Sequence, residues 1–432
     1  MSGIYNEIDT IFAPASGAGQ AALCVVRVSG ARTREVVGAL CSLPPPREAR
    51  LRAIRNVSGE ALDQGLVLWF PGPASFTGED SAELHLHGGR AVLAAVSDAL
   101  VTAGARPAEP GEFSRRAFLN GRMDLLEAEA IGDLIAAETE AQRRQAMRQM
   151  EGALGALLRG WSERLLHLLA SQEALIDFPD EDLPPEVEAA AMSHLARLQA
   201  EIDAHLADDR RGERLREGLV FAVIGAVNAG KSTLINDLAE RDAAIISPIP
   251  GTTRDVLEIR LDIGGVPVTL LDTAGLRETE DPIEAEGVRR ARARMAEADL
   301  VLHLSSAAEP PPDVAAPLLL VDSKTDLTPA SRPGAIGISA ATGAGMDTLR
   351  DALRHWASTL TQAAGPPPLT RARHRAALIE AAACLARAAS APLPELRAED
   401  LRLAQRALGR ITGAVGVEDL LDSLFRQFCI GK

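Results

Sequence analysis

Lysine is almost missing from this chain: of 45 basic residues only Lys231, Lys324 and Lys432 are lysines, and the other 42 are arginines. A compact ammonium does not interchange with a forked guanidinium in a tight pocket, so the three survivors in an arginine-biased chain are candidates for point-charge work. Cysteine is scarce as well. Cys24, Cys41, Cys384 and Cys429 lie far apart with no C-x-x-C pair, which excludes a disulfide framework and a zinc site of common spacing and fits a reducing cytoplasm. Positive charge is in deficit: 60 acids against 45 bases give a formal net charge of −15. That excludes coating nucleic acid by bulk attraction and leaves only local basic patches. No apolar run approaches the roughly 18 residues needed to cross a bilayer, so a soluble protein with no membrane partner is expected. The opening MSGIYNEIDTIF holds acids where a secretory signal would be basic and then apolar. The tail has a cysteine at a prenylation-like place, but Gly431 and Lys432 fit that pattern poorly.

What is present is a core-forming chain of 432 residues, 47% hydrophobic and 24% charged, long enough for about three domains. Residues 1–122 mix β-rich stretches (22–28, 65–70) with a turn-rich segment (71–78) and read as an α+β domain. Apolar stripes over 125–176, such as Leu125, Ile131, Leu134 and later Leu158, Leu165 and Leu168, predict packed helices. An acidic, proline-bearing break at 177–185 precedes a second helical stretch to 215. From 219 the texture changes to short apolar runs at 219–224, 266–271, 300–304 and 318–321, the pattern of an α/β domain with a mostly parallel sheet. Helical periodicity returns at 376–389 and 401–408. The expected organisation is multidomain: an N-terminal α+β domain (1–122), an α-helical domain in two parts (123–216 and 367–432), and an α/β domain (217–366) inserted between those parts.

The run 219–224 leads into Gly225-Ala226-Val227-Asn228-Ala229-Gly230-Lys231-Ser232, and a helical pattern opens at Thr233. This is a P-loop in strand-to-helix context. Glycines let the backbone curl around phosphate, N–H groups from Asn228 to Thr233 face the anion, Lys231 adds its charge, and Ser232 holds magnesium (Mg2+). Asp272-Thr273-Ala274-Gly275 follows a strand-like run, so Asp272 reaches the metal through water and Gly275 approaches the terminal phosphate. Between them, Ser247-Pro248-Ile249-Pro250-Gly251-Thr252-Thr253 reads as a switch loop whose Thr253 joins the magnesium shell while the γ-phosphate is present. Ser323-Lys324-Thr325-Asp326 and Ser339-Ala340-Ala341 read as base-contacting loops. Asp326 would accept from the ring N–H and exocyclic amine of guanine, which adenine does not offer on that edge. Four such elements in order point to a P-loop GTPase, a GTP hydrolase. Leu276 stands where many GTPases carry a water-orienting glutamine, and Glu278, Glu280, Asp281, Glu284 and Glu286 are all near enough to replace it.

Three further groups stand out. Cys429 is a catalytic candidate, as a thiolate able to attack a pyrimidine ring or carry substrate, and equally a packing residue in a Phe-Cys-Ile tail. Glu83, His85 and His87 share one strand face and imitate a metal site. Arg371, Arg373, His374 and Arg375 offer a tRNA phosphate contact or a solvated helix start.

Taken with Asp9-Thr10-Ile11, Arg27-Val28-Ser29-Gly30, Thr77-Gly78-Glu79-Asp80, Gly111-Glu112-Phe113-Ser114, Phe118-Leu119-Asn120 and the terminal Phe428-Cys429-Ile430-Gly431-Lys432, these motifs make the chain resemble the MnmE/TrmE family of tRNA modification GTPases over essentially its whole length. The resemblance implies a cytoplasmic homodimer working with the flavoprotein MnmG, which brings FAD, in a heterotetramer. Together they install a carboxymethylaminomethyl-type group at C5 of the wobble uridine of certain tRNAs. It implies a reduced folate, 5-formyltetrahydrofolate or 5,10-methylenetetrahydrofolate, as one-carbon donor, bound by Arg27, Glu83, Arg122 and Lys432, with Arg122 replacing a family lysine. It implies dimerisation of the GTPase domains around potassium (K+) held by Asn228, Ser247, Ile249 and Thr252, and selects Glu284 to orient the attacking water. Ser323 stands where the family has asparagine, so a hydrogen bond to the base or the P-loop, worth roughly 1 kcal/mol, is expected to be lost. The competing function is an RNA- or ribosome-associated regulatory GTPase without modification activity.

Overall fold

The computed structural model describes residues 9–17, 19, 21–177, 185–226, 228–241, 258–272, 298–306, 310, 313–362, 365–415, 421, 424–426, 428 and 430–431. They form two compact units, Met1–Gly132 with Gly409–Lys432, and Asp133–Leu408. Residues 409–432 thus group with the N-terminal unit.

The first unit is an α+β fold, as its alternating strands and turns predict. Strands β1 (Ile11–Pro14), β2 (Leu23–Ser29), β3 (Arg50–Arg55), β4 (Ala61–Phe70), β5 (Ser81–His87) and β6 (Arg106–Pro107) form one sheet in the order β3-β4-β5-β2-β1-β6. Only the β1–β6 pair is parallel. Every second residue of β2, β4 and β5 (Cys24, Val26, Val28; Val67, Trp69; Leu84, Leu86) packs with Val36, Val37, Leu40, Val96 and Leu100 from helices Thr33–Leu40 and Arg90–Thr102. The opposite face carries Arg27, Glu83 and His85. Under helix Glu112–Leu119, the buried Glu112 carboxylate receives Arg106 at 2.7 and 2.9 Å, Arg116 at 3.0 Å and the Glu109 N–H at 2.9 Å. At the chain's end Gly431 has φ +98°, and a methyl there would lie 2.0 Å from the Pro14 carbonyl oxygen of β1. Only glycine fits, and the tail is seated on that strand.

Helices follow, the first of them with residues 125–132 in the first unit. The helical pattern of 125–176 resolves into Leu125–Ala136, Glu140–Met150 and Ala153–Asp177. One break is a capping box between Thr139 and Gln142, the other a left-handed Gly152 at φ +80°. Helices Pro185–Leu206 and Arg211–Glu217 follow, and after them β7 (Leu219–Ile224), β8 (Glu258–Ile263), β9 (Val266–Asp272), β10 (Leu300–Ser305), β11 (Leu318–Asp322) and β12 (Ile336–Gly337). Their order is β12-β11-β10-β7-β9-β8, parallel except at β8–β9. β8 was not expected. It is an antiparallel edge strand, with Leu261 and Ile263 turned to the core and Glu258 exposed.

Helices Ala372–Ser390 and Pro394–Thr412 then meet those that precede the sheet. Arg375 reaches Asp208 and Glu213, each at 2.5 Å, and Arg397 reaches Gln172 at 3.1 Å and Glu188 at 3.0 Å. Where the chain runs into and out of the sheet, one carboxylate takes both sides: Asp133 Oδ1 accepts Arg216 at 2.9 Å and Arg371 at 2.7 Å. Glutamines of one helix continue the tie, Gln142 to the Arg216 carbonyl, Gln145 to the Gly212 carbonyl and Gln149 to the Thr370 hydroxyl. Arg371 and Arg375 are therefore half-buried ion-pair partners of the helices, and neither is the solvated helix start that was one reading of their cluster. Among the described residues, no helix is long and apolar enough to cross a membrane.

Candidate functional site

In the sheet of the second unit, β7 lies between β9 and β10, so successive connections leave it on opposite sides. Such a reversal opens a crevice at the carboxyl ends of the strands, where α/β sheets bind ligands. The P-loop begins there. Gly225 has φ +151°, and a methyl on it would meet the Leu304 carbonyl oxygen at 2.0 Å, so the turn out of β7 admits no side chain. Asn228 (φ +65°) and Gly230 (φ +94°) are also left-handed, which curls the loop before helix Lys231–Arg241. Lys231 is buried, and its ammonium donates to the Gly225 and Ala226 carbonyls at 2.7 and 2.8 Å. Its charge is held against the inner side of the loop.

Parallel pairing of Val223 with Asp272 brings the end of β9 beside the loop. The Ser232 hydroxyl donates to Asp272 Oδ2 at 3.0 Å. Two hard oxygens, placed together at a helix start, suit magnesium better than a softer metal.

Ser323 overturns an expectation. Its hydroxyl, 6% exposed, donates to the P-loop carbonyl of Ala229 at 2.7 Å, with the Ser305 carbonyl at 3.2 Å as the alternative acceptor. The tie to the P-loop expected to be lost with asparagine is made by the shorter side chain, because Ser323 sits immediately after β11 against the loop. Lys324 follows in a left-handed turn (φ +56°), Thr325 is half-buried and Asp326 is exposed. The second segment expected to contact the base closes as a turn, with Ser339 N–H donating to the Ala344 carbonyl at 2.9 Å and Thr342 N–H to the Ser339 hydroxyl at 3.3 Å. Ala340 and Ala341 sit on that turn. Thr233 is in the first turn of the P-loop helix.

Several expected residues lie outside the described ones: Ser247, Pro248, Ile249, Pro250, Gly251, Thr252, Thr253, Thr273, Ala274, Gly275, Glu284, Cys429 and Lys432. The other three cysteines, Cys24, Cys41 and Cys384, are buried and free, and burial pushes the Cys41 thiol up to about 11.

A family model described as the MnmE helical domain matches residues 125–429, and one described as the GTP-binding protein TrmE N-terminus matches residues 10–122. The chain is 60% identical over 428 residues to the tRNA modification GTPase MnmE of Gluconacetobacter diazotrophicus, covering 98% of each chain. It is 56% identical over 437 residues to that of Granulibacter bethesdensis (98% of this chain, 99% of the relative) and 55% over 453 residues to that of Rhodospirillum rubrum (98% and 100%). The chain belongs to the MnmE family.

In the TrmE-type N-terminal part, antiparallel pairing sets Arg27 opposite Glu83. Arg27 donates to Glu83 Oε1 through Nη2 at 3.0 Å and Nε at 3.3 Å, and its guanidinium lies 5.0 Å from the Phe76 ring centre and 5.8 Å from that of Phe113. His85 Nε2 stands 3.4 Å from Glu83 Oε2. His87 instead pairs with Asp63, donating from Nδ1 at 2.7 Å. Arg122 is exposed, and its stem lies 3.2 to 3.4 Å from where a Gly78 side chain would start, beside the turn that carries Phe76. Of the aromatic walls beside Arg27, Phe76 was not singled out from the sequence, and Phe113 entered only within the Gly111-Glu112-Phe113-Ser114 motif, with no binding role. Their place next to Thr77-Gly78-Glu79-Asp80 and Glu112 was the available signal.

Proposed function

We propose that this protein hydrolyses GTP in the service of tRNA modification. It would act with MnmG to install a carboxymethylaminomethyl-type group at C5 of the wobble uridine. The observation that carries the reading is the meeting of Lys231, Ser232 and Asp272 at the carboxyl ends of β7 and β9. There, loop N–H groups and the Lys231 ammonium bind the β- and γ-phosphates and offset charge as the terminal phosphoryl group leaves. Ser232 and Asp272 would hold magnesium, which supplies charge neutralisation; Thr253 would complete that set, and Glu284 would orient the water. Potassium held by Asn228, Ser247, Ile249 and Thr252 at a dimer of GTPase domains would act as a further cation. Gly251, Thr273, Ala274 and Gly275 would follow the γ-phosphate, and Cys429 would serve the uridine chemistry.

The four segments 1–122, 123–216, 217–366 and 367–432 would be the folate-binding and dimerisation domain, the first helical part, the inserted GTPase domain and the second helical part. Packing of helices from before the sheet on those from after it supports the insertion. A reduced folate would bind at Arg27 and Glu83, a donor and an acceptor flanked by two aromatic rings and suited to a flat, hydrogen-bonding heterocycle. Arg122 and Lys432 would meet its acidic tail, and Gly431 on Pro14 supports bringing the chain's end to this sheet. The exposed Leu51 and Leu66, paired across β3 and β4, support an apolar contact between two copies. The setting is cytoplasmic.

Mass analysis of wobble uridines from cells with and without this gene tests the reading; loss of the modified nucleoside is expected, and an unchanged profile refutes it. Failure of the purified chain to bind reduced folate would favour the RNA- or ribosome-associated regulatory GTPase instead. For the base, Asp326→Asn should collapse selectivity for GTP over ATP, and equal use of both nucleotides by the unmutated protein would sink guanine recognition.

A further inference from the structure

The excursion that carries Asp326 leaves the sheet at Asp322, the last residue of β11, and returns at Arg332. Both ends are tied to one carboxylate. Asp322 Oδ2 accepts the backbone N–H of Ser331 at 2.8 Å and of Arg332 at 3.1 Å, and Oδ1 accepts Nε of Arg332 at 2.5 Å. The same guanidinium donates through Nη2 to the carbonyls of Val321 (2.7 Å) and His303 (3.2 Å), and through Nη1 to His303 Nδ1 at 3.0 Å. Arginine offers no acceptor, so the neutral His303 ring carries its proton on Nε2. One nearly buried side chain, 7% exposed, therefore laces the ends of β10 and β11 together, where the Ser323 N–H meets the Ser305 carbonyl at 2.7 Å.

Within the excursion the Lys324 carbonyl accepts the N–H groups of Leu327 and Thr328 at 2.9 and 3.0 Å, so the segment around Asp326 is a closed turn on a fixed root. Burial alone would raise the Asp322 carboxyl; the backbone N–H and guanidinium of Arg332 and the N–H of Ser331 outweigh it and hold the group below the ordinary aspartate value. A buried ion pair is weak evidence of net stabilisation, whereas its charge-assisted, forked geometry fixes position well.

We propose that the Asp322–Arg332 closure is a positioning device for the guanine base: by fixing residues 323–332 it aims Asp326 at the ring N–H and exocyclic amine. The inference rests on the guanine reading above. The Ser323 hydroxyl is committed to the P-loop and the Thr325 N–H to the Ile338 carbonyl at 3.1 Å; the closure adds the side-chain clamp that fixes the far end of the turn. Asp322 and Arg332 act through Asp326.

The test compares dissociation constants of full-length protein for GDP and for IDP, which has the ring N–H but lacks the exocyclic amine. Asp322→Asn and Arg332→Gln should weaken GDP about tenfold or more, the scale of one charge-assisted hydrogen bond, with a smaller change for IDP, which can lose only the ring N–H contact, so the GDP-to-IDP preference falls. Arg332→Lys, which keeps the charge without the fork, should retain part of it. A purely structural role would reduce the fraction of protein able to bind and leave both constants as they were. An undiminished preference in folded Asp322→Asn, or in Arg332→Lys should the former not fold, overturns the proposal. If the unmutated chain does not prefer GDP over ADP, guanine recognition itself fails, which is a separate and recognisable outcome.

Discussion

Replacing Lys231 with alanine is expected to lower kcat/KM for GTP by about a hundred- to a thousandfold, the range for removing one preorganised donor from a developing charge. Lys231 is 6% exposed and its ammonium is pinned by the Gly225 and Ala226 carbonyls, so its position is set before the phosphate arrives. Stability should change little, because the hydrophobic contacts of the sheet do not depend on the ammonium. Lys231→Arg should restore little, since a planar fork cannot take the place of a compact charge held by two loop carbonyls. Steady-state hydrolysis beside a thermal melt decides it, and turnover at the unmutated rate in Lys231→Ala would remove the loop from the chemistry.

The second large effect is structural. Glu112→Ala should destabilise the N-terminal unit by about 3 kcal/mol, the low end for breaking a buried pair. It falls at the low end because the abandoned arginines keep other partners: Arg106 has Asp9 at 3.1 Å and Arg116 has Glu79 at 3.2 Å. Hydrogen exchange of β1 and β6 amides reads it, and unchanged protection would refute it. The pH dependence has a fixed sign. Burial pushes the Glu112 carboxyl up, but the Arg106 hydrogen bonds, the Glu109 N–H and the Arg116 charge leave it below the ordinary value. A depressed carboxyl contributes stability above the unfolded value of about 4.3 and loses it as pH falls through the folded value. Glu112→Gln should flatten that acid limb.

The α/β part was legible because its central strands are nearly continuous apolar runs, broken only by His303: 219–224, 300–304 and 318–321 fall on β7, β10 and β11, as strands covered on both faces are largely apolar. β8 was missed although 258–263 alternates charged and apolar residues, the mark of an edge strand apolar on one side only. The P-loop could be read residue by residue because phosphate binding needs glycine and lysine at fixed places. Asp322, Arg332 and His303 could not, because their roles come from the register of β10 on β11 and the return of a loop across it. Likewise Ser323 looked deficient when only side-chain length was weighed; the distance it must span to Ala229 exists only in the fold.

Asp133 cannot be satisfied by its own neighbourhood. Arg216 lies 83 positions away and Arg371 lies 238. By the time Arg371 leaves the ribosome, every strand of the intervening sheet has already been synthesised, and domains made earlier tend to condense first. A finished sheet brings the two arginines side by side and spares the closing step most of the entropy of a long open loop. The contact that joins the helix start at Arg371 to Asp133 is therefore expected to close after the strands between them have formed.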